Sequence, residues 1–206
     1  MAIEEIDLYY LTSEDLLRYL PQKNCRECGQ NDCRKFADLI LSRKARAEEC
    51  PHLGGEMARV MDAMCALDIR LVESDSMMQK VPDKLVEMNS PDSSSPVLLT
   101  SSSIVTIDIL KRILTAAGSK AFIVPVDTMG YTLDNSVHEN TLTQMGVMKA
   151  LNGSMIGGMV SHRSLFIPGL AADYKSMVER ISRWMVSVGP VSGFELPMFF
   201  IDETDK

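Results

Sequence analysis

Val97-Leu-Leu-Thr-Ser-Ser-Ser-Ile-Val-Thr-Ile-Asp-Ile-Leu-Lys-Arg-Ile-Leu-Thr-Ala-Ala-Gly-Ser-Lys-Ala-Phe-Ile-Val-Pro-Val126 is the stretch that decides the fold. Val97-Leu-Leu99 is a short apolar run ending in the polar turn Thr100–Ser103, and Ala121-Phe-Ile-Val-Pro-Val126 is a second run ending at Asp127-Thr-Met-Gly130. Between them, apolar residues at 105, 109, 110, 113, 114 and 117 recur at helical spacing, and Gly118 suits the left-handed residue that closes a helix. Strand, helix and strand in this order make a βαβ unit with parallel strands.

The alternation continues downstream. A second helix is expected over Glu139–Leu151, ended by Asn152-Gly153, and a third strand at Leu165-Phe-Ile167 stops at Pro168-Gly169. A third helix over Ala172–Arg183 leads to a fourth strand, Trp184-Met-Val-Ser-Val188, which ends at Gly189-Pro190. The order predicts an α/β fold, a Rossmann-like, mainly parallel sheet covered by helices. Ligands of such sheets sit at the carboxyl ends of the strands. Here those ends carry Thr100–Ser103, Asp127–Gly130, Pro168-Gly169 and Gly189-Pro190, a shelf of amides and hydroxyls suited to a large, flat, polar-rimmed ligand. Loops of this composition are also ordinary in any α/β domain. No phosphate fingerprint accompanies them: Gly153 to Gly158 lacks the Walker lysine, and no G-x-G-x-x-G follows the first strand.

Upstream, Asn89-Ser-Pro-Asp-Ser-Ser-Ser-Pro96 reads as a linker. From Gly54 to Arg70, Met57, Val60, Met61, Met64, Ala66 and then Leu71 keep roughly helical spacing. Cys65 falls inside that pattern and reads as a buried small residue. The expected division is a cluster module at 1–53, a helix and linker at 54–95, and an α/β domain at 96–206.

The front module rests on Cys25, Cys28, Cys33 and Cys50. Four thiolates from one short segment, with no histidine among them, suit an all-sulfur metal site. A 4Fe-4S cubane takes one cysteine per iron, so one loop can wrap most of it. Zinc is the competing reading, although its four-cysteine sites usually draw on two paired knuckles and here only the first is paired. Disulfides fit less well, because no signal peptide is read at the N-terminus and the five cysteines are odd in number. Phe36, Ala37, Ile40 and Leu41 place a helix after Cys33, whose N-terminal amides would face an anionic cluster. That helix must stop after roughly ten residues, since running to Cys50 would carry the fourth ligand about 25 Å away. The polar stretch Ser42–Glu49 is expected to return extended at the surface. Before the cluster, Thr12 or Ser13 with Glu14 and Asp15 starts a short helix that Pro21 stops.

Composition predicts a soluble, cytoplasmic protein. No apolar run reaches membrane length, and a net charge of −7, from 21 basic and 28 acidic side chains, argues against nucleic acid. Most of the acidic excess lies in residues 1–95. It could help choose a redox partner or simply keep the chain soluble.

The motifs Leu20-Pro21, Asn24-Cys-Arg-Glu-Cys-Gly29, Cys33-x-x-Phe-Ala37 and Cys50-Pro51 resemble the cluster module of the corrinoid iron–sulfur protein large subunit, a methyl carrier of the anaerobic acetyl-CoA pathway. A related module occurs in ion-translocating ferredoxin oxidoreductases. Pro96-Val-Leu-Leu-Thr-Ser, Val126-Asp-Thr-x-Gly130, His162-Arg-x-Leu-x-Ile-Pro-Gly169 and Val188-Gly-Pro190 resemble, in order, that subunit's corrinoid-binding domain. In the family a TIM barrel lies between the two parts. The chain therefore reads as a shortened form, without the basis for pairing with a small subunit.

The resemblance implies a carrier cycling between Co(I) and methyl-Co(III), with a cluster bound by Cys25, Cys28, Cys33 and Cys50 supplying the electron that reactivates Co(II). It implies corrinoid contacts at Thr100, Ser101, Ser102, Ser103, Thr106, Asp127, Thr128, Met129, Gly130, Tyr131, Thr132, Pro168, Gly169, Gly189 and Pro190. None of His52, His138 and His162 lies in an Asp-x-His-x-x-Gly motif, and His162 reads as structural, so the cobalamin is expected base-off without a protein histidine. The implied partners are a methyltransferase, a methyl-acceptor enzyme such as acetyl-CoA synthase, and a low-potential electron donor. A homodimer is expected through the Gly54–Arg70 helix with Met57 and Met61; the alternative is that these methionines pack on the chain's own core. The rival function is an electron-transfer module that docks to or reductively activates a partner and holds no corrinoid.

Overall fold

The computed structural model describes residues 10–69 and 78–204. The chain folds as two units, Met1–Asp68 with Ser192–Lys206, and Ile69–Val191. The first opens with helices α1 (Ser13–Tyr19), α2 (Cys33–Leu41) and α3 (Gly55–Ala66). The second runs β1 (Val86–Met88), β2 (Val97–Ser101), α4 (Ile104–Ala117), β3 (Ala121–Val126), α5 (Leu133–His138), α6 (Gln144–Ser154), β4 (Ser164–Ile167), α7 (Lys175–Ser182) and β5 (Met185–Val188). The C-terminal helix α8 (Leu196–Thr204), after a 3-10 turn at Gly193–Glu195, belongs to the first unit.

The sheet has the order β1-β3-β2-β4-β5. β2 pairs in parallel with β3 and β4, β4 in parallel with β5, and β1 runs antiparallel on the edge of β3. Every residue of β2 and β3 is buried, as expected for strands covered on both faces. The chain moves outward from β2 to β3, then crosses back to β4 and on to β5. Right-handed crossovers therefore put α4 on one face and α5, α6 and α7 on the other. The buried residues agree: Val97, Leu99, Val124, Leu165, Ile167 and Val186 share one core with Val147 of α6 and Val178 of α7, without α4. α4 buries its own stripe, Ile107, Leu110, Ile113, Leu114 and Ala117, and ends at Gly118 with φ 69°. The parallel strands follow the flavodoxin-like order, so the switch point falls between β2 and β4.

The structure differs from the sequence expectations in several elements. The edge strand β1 was not expected. The segment Asn89–Pro96 joins β1 to β2 within one unit, where Asn89 Nδ2 donates to Leu114 O at 2.8 Å and to Ser119 O at 2.7 Å. The helix expected at Glu139–Leu151 is displaced: α5 ends at His138, and α6 begins only after Thr143, whose hydroxyl accepts from Gly146 N at 3.1 Å. The third helix starts as a 3-10 segment, Gly169–Tyr174. α3 ends at Ala66, short of the expected Arg70; Arg70 and Leu71 lie outside the described residues.

In the first unit Thr12 and Asp15 form a capping box, with Asp15 Oδ2 accepting from Thr12 N at 2.9 Å, and Leu20 ends the helix before Pro21. The return from α2 is neither extended nor fully at the surface: Ala45 and Ala47 are buried, and Ala47–Glu49 is a 3-10 turn. Asp62 of α3 accepts from Ala47 N at 2.8 Å and so fixes that turn. Leu16, Leu20, Phe36, Ala37 and Ile40 are buried, as are Met57, Val60, Met61 and Met64 of α3. Met57 and Met61 thus pack on the chain's own core, the alternative given for them, with Met57 9 % and Met61 0 % exposed. Among the described residues no helix is long and apolar enough to cross a membrane.

Candidate functional site

The cysteine loop is shaped by its backbone. Gln22, Asn24 and Arg26 have φ of 53°, 48° and 65°, alternating with residues on the ordinary side, and Gly29 follows at 78°. Left-handed residues recur in backbone turns whose amides line anions and iron–sulfur clusters. Asn24 Oδ1 accepts from Cys33 N at 2.8 Å and ties the first knuckle to the third cysteine. Cys33 is the first residue of α2, behind the cap Asp32, whose carboxylate accepts from Lys35 N at 2.7 Å. Cys50 is buried at the end of the 3-10 turn, Cys28 and Cys33 are half-buried, and Cys25 is exposed.

Among the described residues one group of three possible ligand atoms lies within 4.8 Å of one another: Cys25, Glu27 and His52. His52 Nε2 lies 3.2 Å from Glu27 Oε1, and its Nδ1 lies 3.5 Å from Lys23 Nζ. Cys65 is separate: burial, and then the charge of Asp62, pushes its thiol up to about 12.

In the second unit the shelf residues fall into two groups. Ser102 N donates to Val126 O at 2.8 Å, and Thr128 N to Ser102 Oγ at 3.5 Å, joining the loops after β2 and β3. Thr128 Oγ1 donates to Tyr131 O at 2.9 Å, and Met129 N donates to Asp127 Oδ1 at 3.0 Å. Thr132 is buried at the start of α5, and Thr106 is half-buried in the first turn of α4. Gly169 N donates to Pro190 O at 2.9 Å, joining the loops after β4 and β5. A Cβ at Gly169 would stand 2.8 Å from Val191 N, so only glycine lets these loops meet. The register pair recorded between β2 and β4 is Leu98 with Phe166, and Thr100 and Ser101 lie beyond it at the switch point.

Those residues carry an anomaly. The hydroxyls of Thr100, Ser101 and Ser103 are buried and have no hydrogen-bond partner. Each such group costs about 1–3 kcal/mol while unsatisfied. Thr100 and Ser101 are successive residues of β2 and point to opposite faces of the sheet, and Ser103 follows just before α4. The three hydroxyls therefore flank the carboxyl edge where ligands of parallel sheets bind, and their polar character is compatible with a corrinoid.

Sequence reasoning missed what lies over the shelf. Met78–Val81 passes across the loop after β2: Val81 N donates to Ser102 O at 2.9 Å, Ile104 N donates to Gln79 O at 3.0 Å, and Lys80 bridges Ser103. Lys80 Nζ donates to Asp127 Oδ2 at 2.8 Å, which, with the amide of Met129, holds that carboxyl below its usual range. Gly130, with φ 87°, makes room for this crossing. No motif in Met78–Val81 signals it.

None of the three histidines is a residue of the shelf loops. His162 lies at the opposite, amino end of β4, with Nε2 3.0 Å from Ser95 O, Nδ1 3.0 Å from Ser164 Oγ, and its ring edge-on to Trp184. His138 closes α5 and is exposed, and His52 belongs to the first unit.

A family model for an Fe-S cluster matches residues 20–52, and the model described as CO dehydrogenase/acetyl-CoA synthase delta subunit matches residues 59–199. The chain is 34% identical over 125 residues to the acetyl-CoA decarbonylase/synthase complex subunit gamma of Methanopyrus kandleri, covering 61% of this chain and 27% of that protein. The corresponding subunit of Archaeoglobus fulgidus is 31% identical over 112 residues, 54% of this chain and 24% of the relative. The corrinoid/iron-sulfur protein large subunit of Moorella thermoacetica is 37% identical over 62 residues, 30% of this chain and 14% of that one. The chain thus spans about a quarter of the length of the first two relatives.

Proposed function

Because the chain belongs to the CO dehydrogenase/acetyl-CoA synthase delta subunit family, we propose that it is a corrinoid iron–sulfur protein that carries a methyl group between partner enzymes. When bound, the corrinoid supplies the cobalt that accepts the methyl group, and the 4Fe-4S cluster supplies the electron that restores that cobalt. Cys25, Cys28, Cys33 and Cys50 hold the cluster, and the left-handed turns at 22, 24 and 26 turn amides toward its negative charge. Thr100–Ser103, Thr106, Asp127–Thr132, Pro168-Gly169 and Gly189-Pro190 hold the corrinoid, with the unpartnered hydroxyls of Thr100, Ser101 and Ser103 taking its polar rim. No histidine stands on those loops, which supports a base-off corrinoid whose lower face carries water or nothing.

The observation that carries the proposal is the presence, on one chain, of a four-cysteine loop and of unpartnered hydroxyls at the carboxyl edge of a parallel sheet. The partners are a methyltransferase, a methyl-acceptor enzyme and a low-potential electron donor, and so reducing a chemistry belongs in the cytoplasm. The test is anaerobic incubation with hydroxocobalamin, desalting and an absorption spectrum. Corrin bands travelling with the protein support the carrier. Their loss, with the cluster intact, favours an electron-transfer module without a corrinoid. Electron paramagnetic resonance of the Co(II) state reads the lower ligand: nitrogen superhyperfine splitting would contradict the base-off arrangement.

A further inference from the structure

We propose that Met78–Val81 is a strap that closes the shelf while no corrinoid is bound, and that it must lift for a corrinoid to enter; this rests on the corrinoid reading above. The residues that would meet the ligand are shut away: Ser101 and Ser103 are 0 % exposed, and Ser102 is 4 % exposed. Hydroxyls that have no partner yet also have no access to water are placed for something that the present arrangement keeps out. What lies across the loop that carries Ser102 and Ser103 is the strap.

Among the described residues its polar attachments are few. Two backbone hydrogen bonds, from Val81 N and from Ile104 N, hold it to the loop after β2 and the start of α4. One ion pair, Lys80 to Asp127 at 2.8 Å, pins its middle, and both side chains are more than half exposed. Met78 and Gln79 contribute backbone to these contacts, while the Met78 side chain is 55 % exposed. Exposed ion pairs and single backbone bonds are weak enough that a ligand with many contacts can displace them. The strap is therefore a competitor for the shelf, and the apparent affinity for corrinoid is the intrinsic one scaled by the fraction of chains with the strap open.

The experiment follows hydroxocobalamin uptake by absorbance after rapid desalting, with amide hydrogen exchange at Val81 read in parallel. Lys80→Ala removes the ion pair and should raise uptake rate and apparent affinity by up to about fivefold. Val81→Pro removes the donor to Ser102 and should raise them by about 2- to 12-fold. In the wild-type chain the Val81 amide should be protected when free and lose protection on saturation with hydroxocobalamin. Faster loading in both variants with deprotection of Val81 establishes the strap. Corrinoid retained by every chain, with wild-type loading rates in both variants and Val81 still protected, overturns the strap and leaves the carrier reading standing. Corrinoid retained by none of the three chains overturns both.

Discussion

Gly130→Ala is expected to lift the strap off the shelf. Gly130 has φ 87°, and an added Cβ would lie 1.9 Å from the carbonyl oxygen of Met78 and 2.3 Å from its carbon. Both partners are backbone, so no side chain can rotate away, and the strap must withdraw by more than about 1 Å to reach ordinary contact. The left-handed conformation alone costs an L-residue about 1–2 kcal/mol. Withdrawal also forfeits the Val81 and Ile104 bonds, worth about 1 kcal/mol each, and an exposed ion pair worth up to about 1 kcal/mol. A loss of about 3–5 kcal/mol is expected, lowering the melting temperature of the second unit by roughly 10–20 °C. The assay pairs thermal unfolding with hydrogen exchange at Val81 and Ile104. An alanine variant with the same melting temperature and the same protection at both amides would refute the reasoning.

Three further outcomes follow from the first unit. Cys25→Ala should strip most of the iron and sulfide from the reconstituted chain, whereas Cys65→Ala, which removes a buried thiol with its pKa raised to about 12, should leave both unchanged; equal losses would put Cys65 in the site. Met61→Ala should destabilise the unit by about 2–5 kcal/mol in denaturant titrations, independently of protein concentration, because it empties a fully buried position; a concentration-dependent loss would restore the dimer contact. Glu195 is 2 % exposed, accepts from Arg18 at 2.9 Å, and has its carboxyl raised by burial first and Asp15 second. The folded state thus holds the proton more tightly than the unfolded one, and the stability this gives is present below pH 4.5 and is lost as pH rises through the raised folded value. Denaturation midpoints should fall with rising pH more steeply in wild type than in Glu195→Gln, and parallel curves would contradict the shift.

β2 and β3 were legible because they are buried on both faces. Val97–Leu99 and Ala121–Val126 read as unbroken apolar runs, and Gly118 marks the end of α4 by the left-handed conformation it adopts. β1 was not legible: Val86-Glu-Met88 is three residues long, and its alternation means little until β3 lies beside it. α5 was missed because Leu133–His138 is short and polar, and Thr132 makes no side-chain cap. Leu196-Pro-Met-Phe-Phe200 could be strand or helix by pattern; Pro197 is tolerated because it falls in the first turn of α8. The cysteine set stood out in the sequence because a metal site fixes its residue types, and a family model for an Fe-S cluster matches residues 20–52. The absence of partners for the Thr100, Ser101 and Ser103 hydroxyls could not be read, since it depends on where β2 and β4 stop pairing and on what crosses above them. Lys80 opposite Asp127 is a contact across distant sequence with no local signature.

The central claim is that one chain holds both an iron–sulfur cluster and a corrinoid. Its most direct test is the elemental content of the chain after anaerobic reconstitution with iron and sulfide, saturation with hydroxocobalamin and desalting. The account predicts about four irons, four sulfides and one cobalt per chain, as the two cofactors require. One tightly held zinc with no labile sulfide and no cobalt would contradict it.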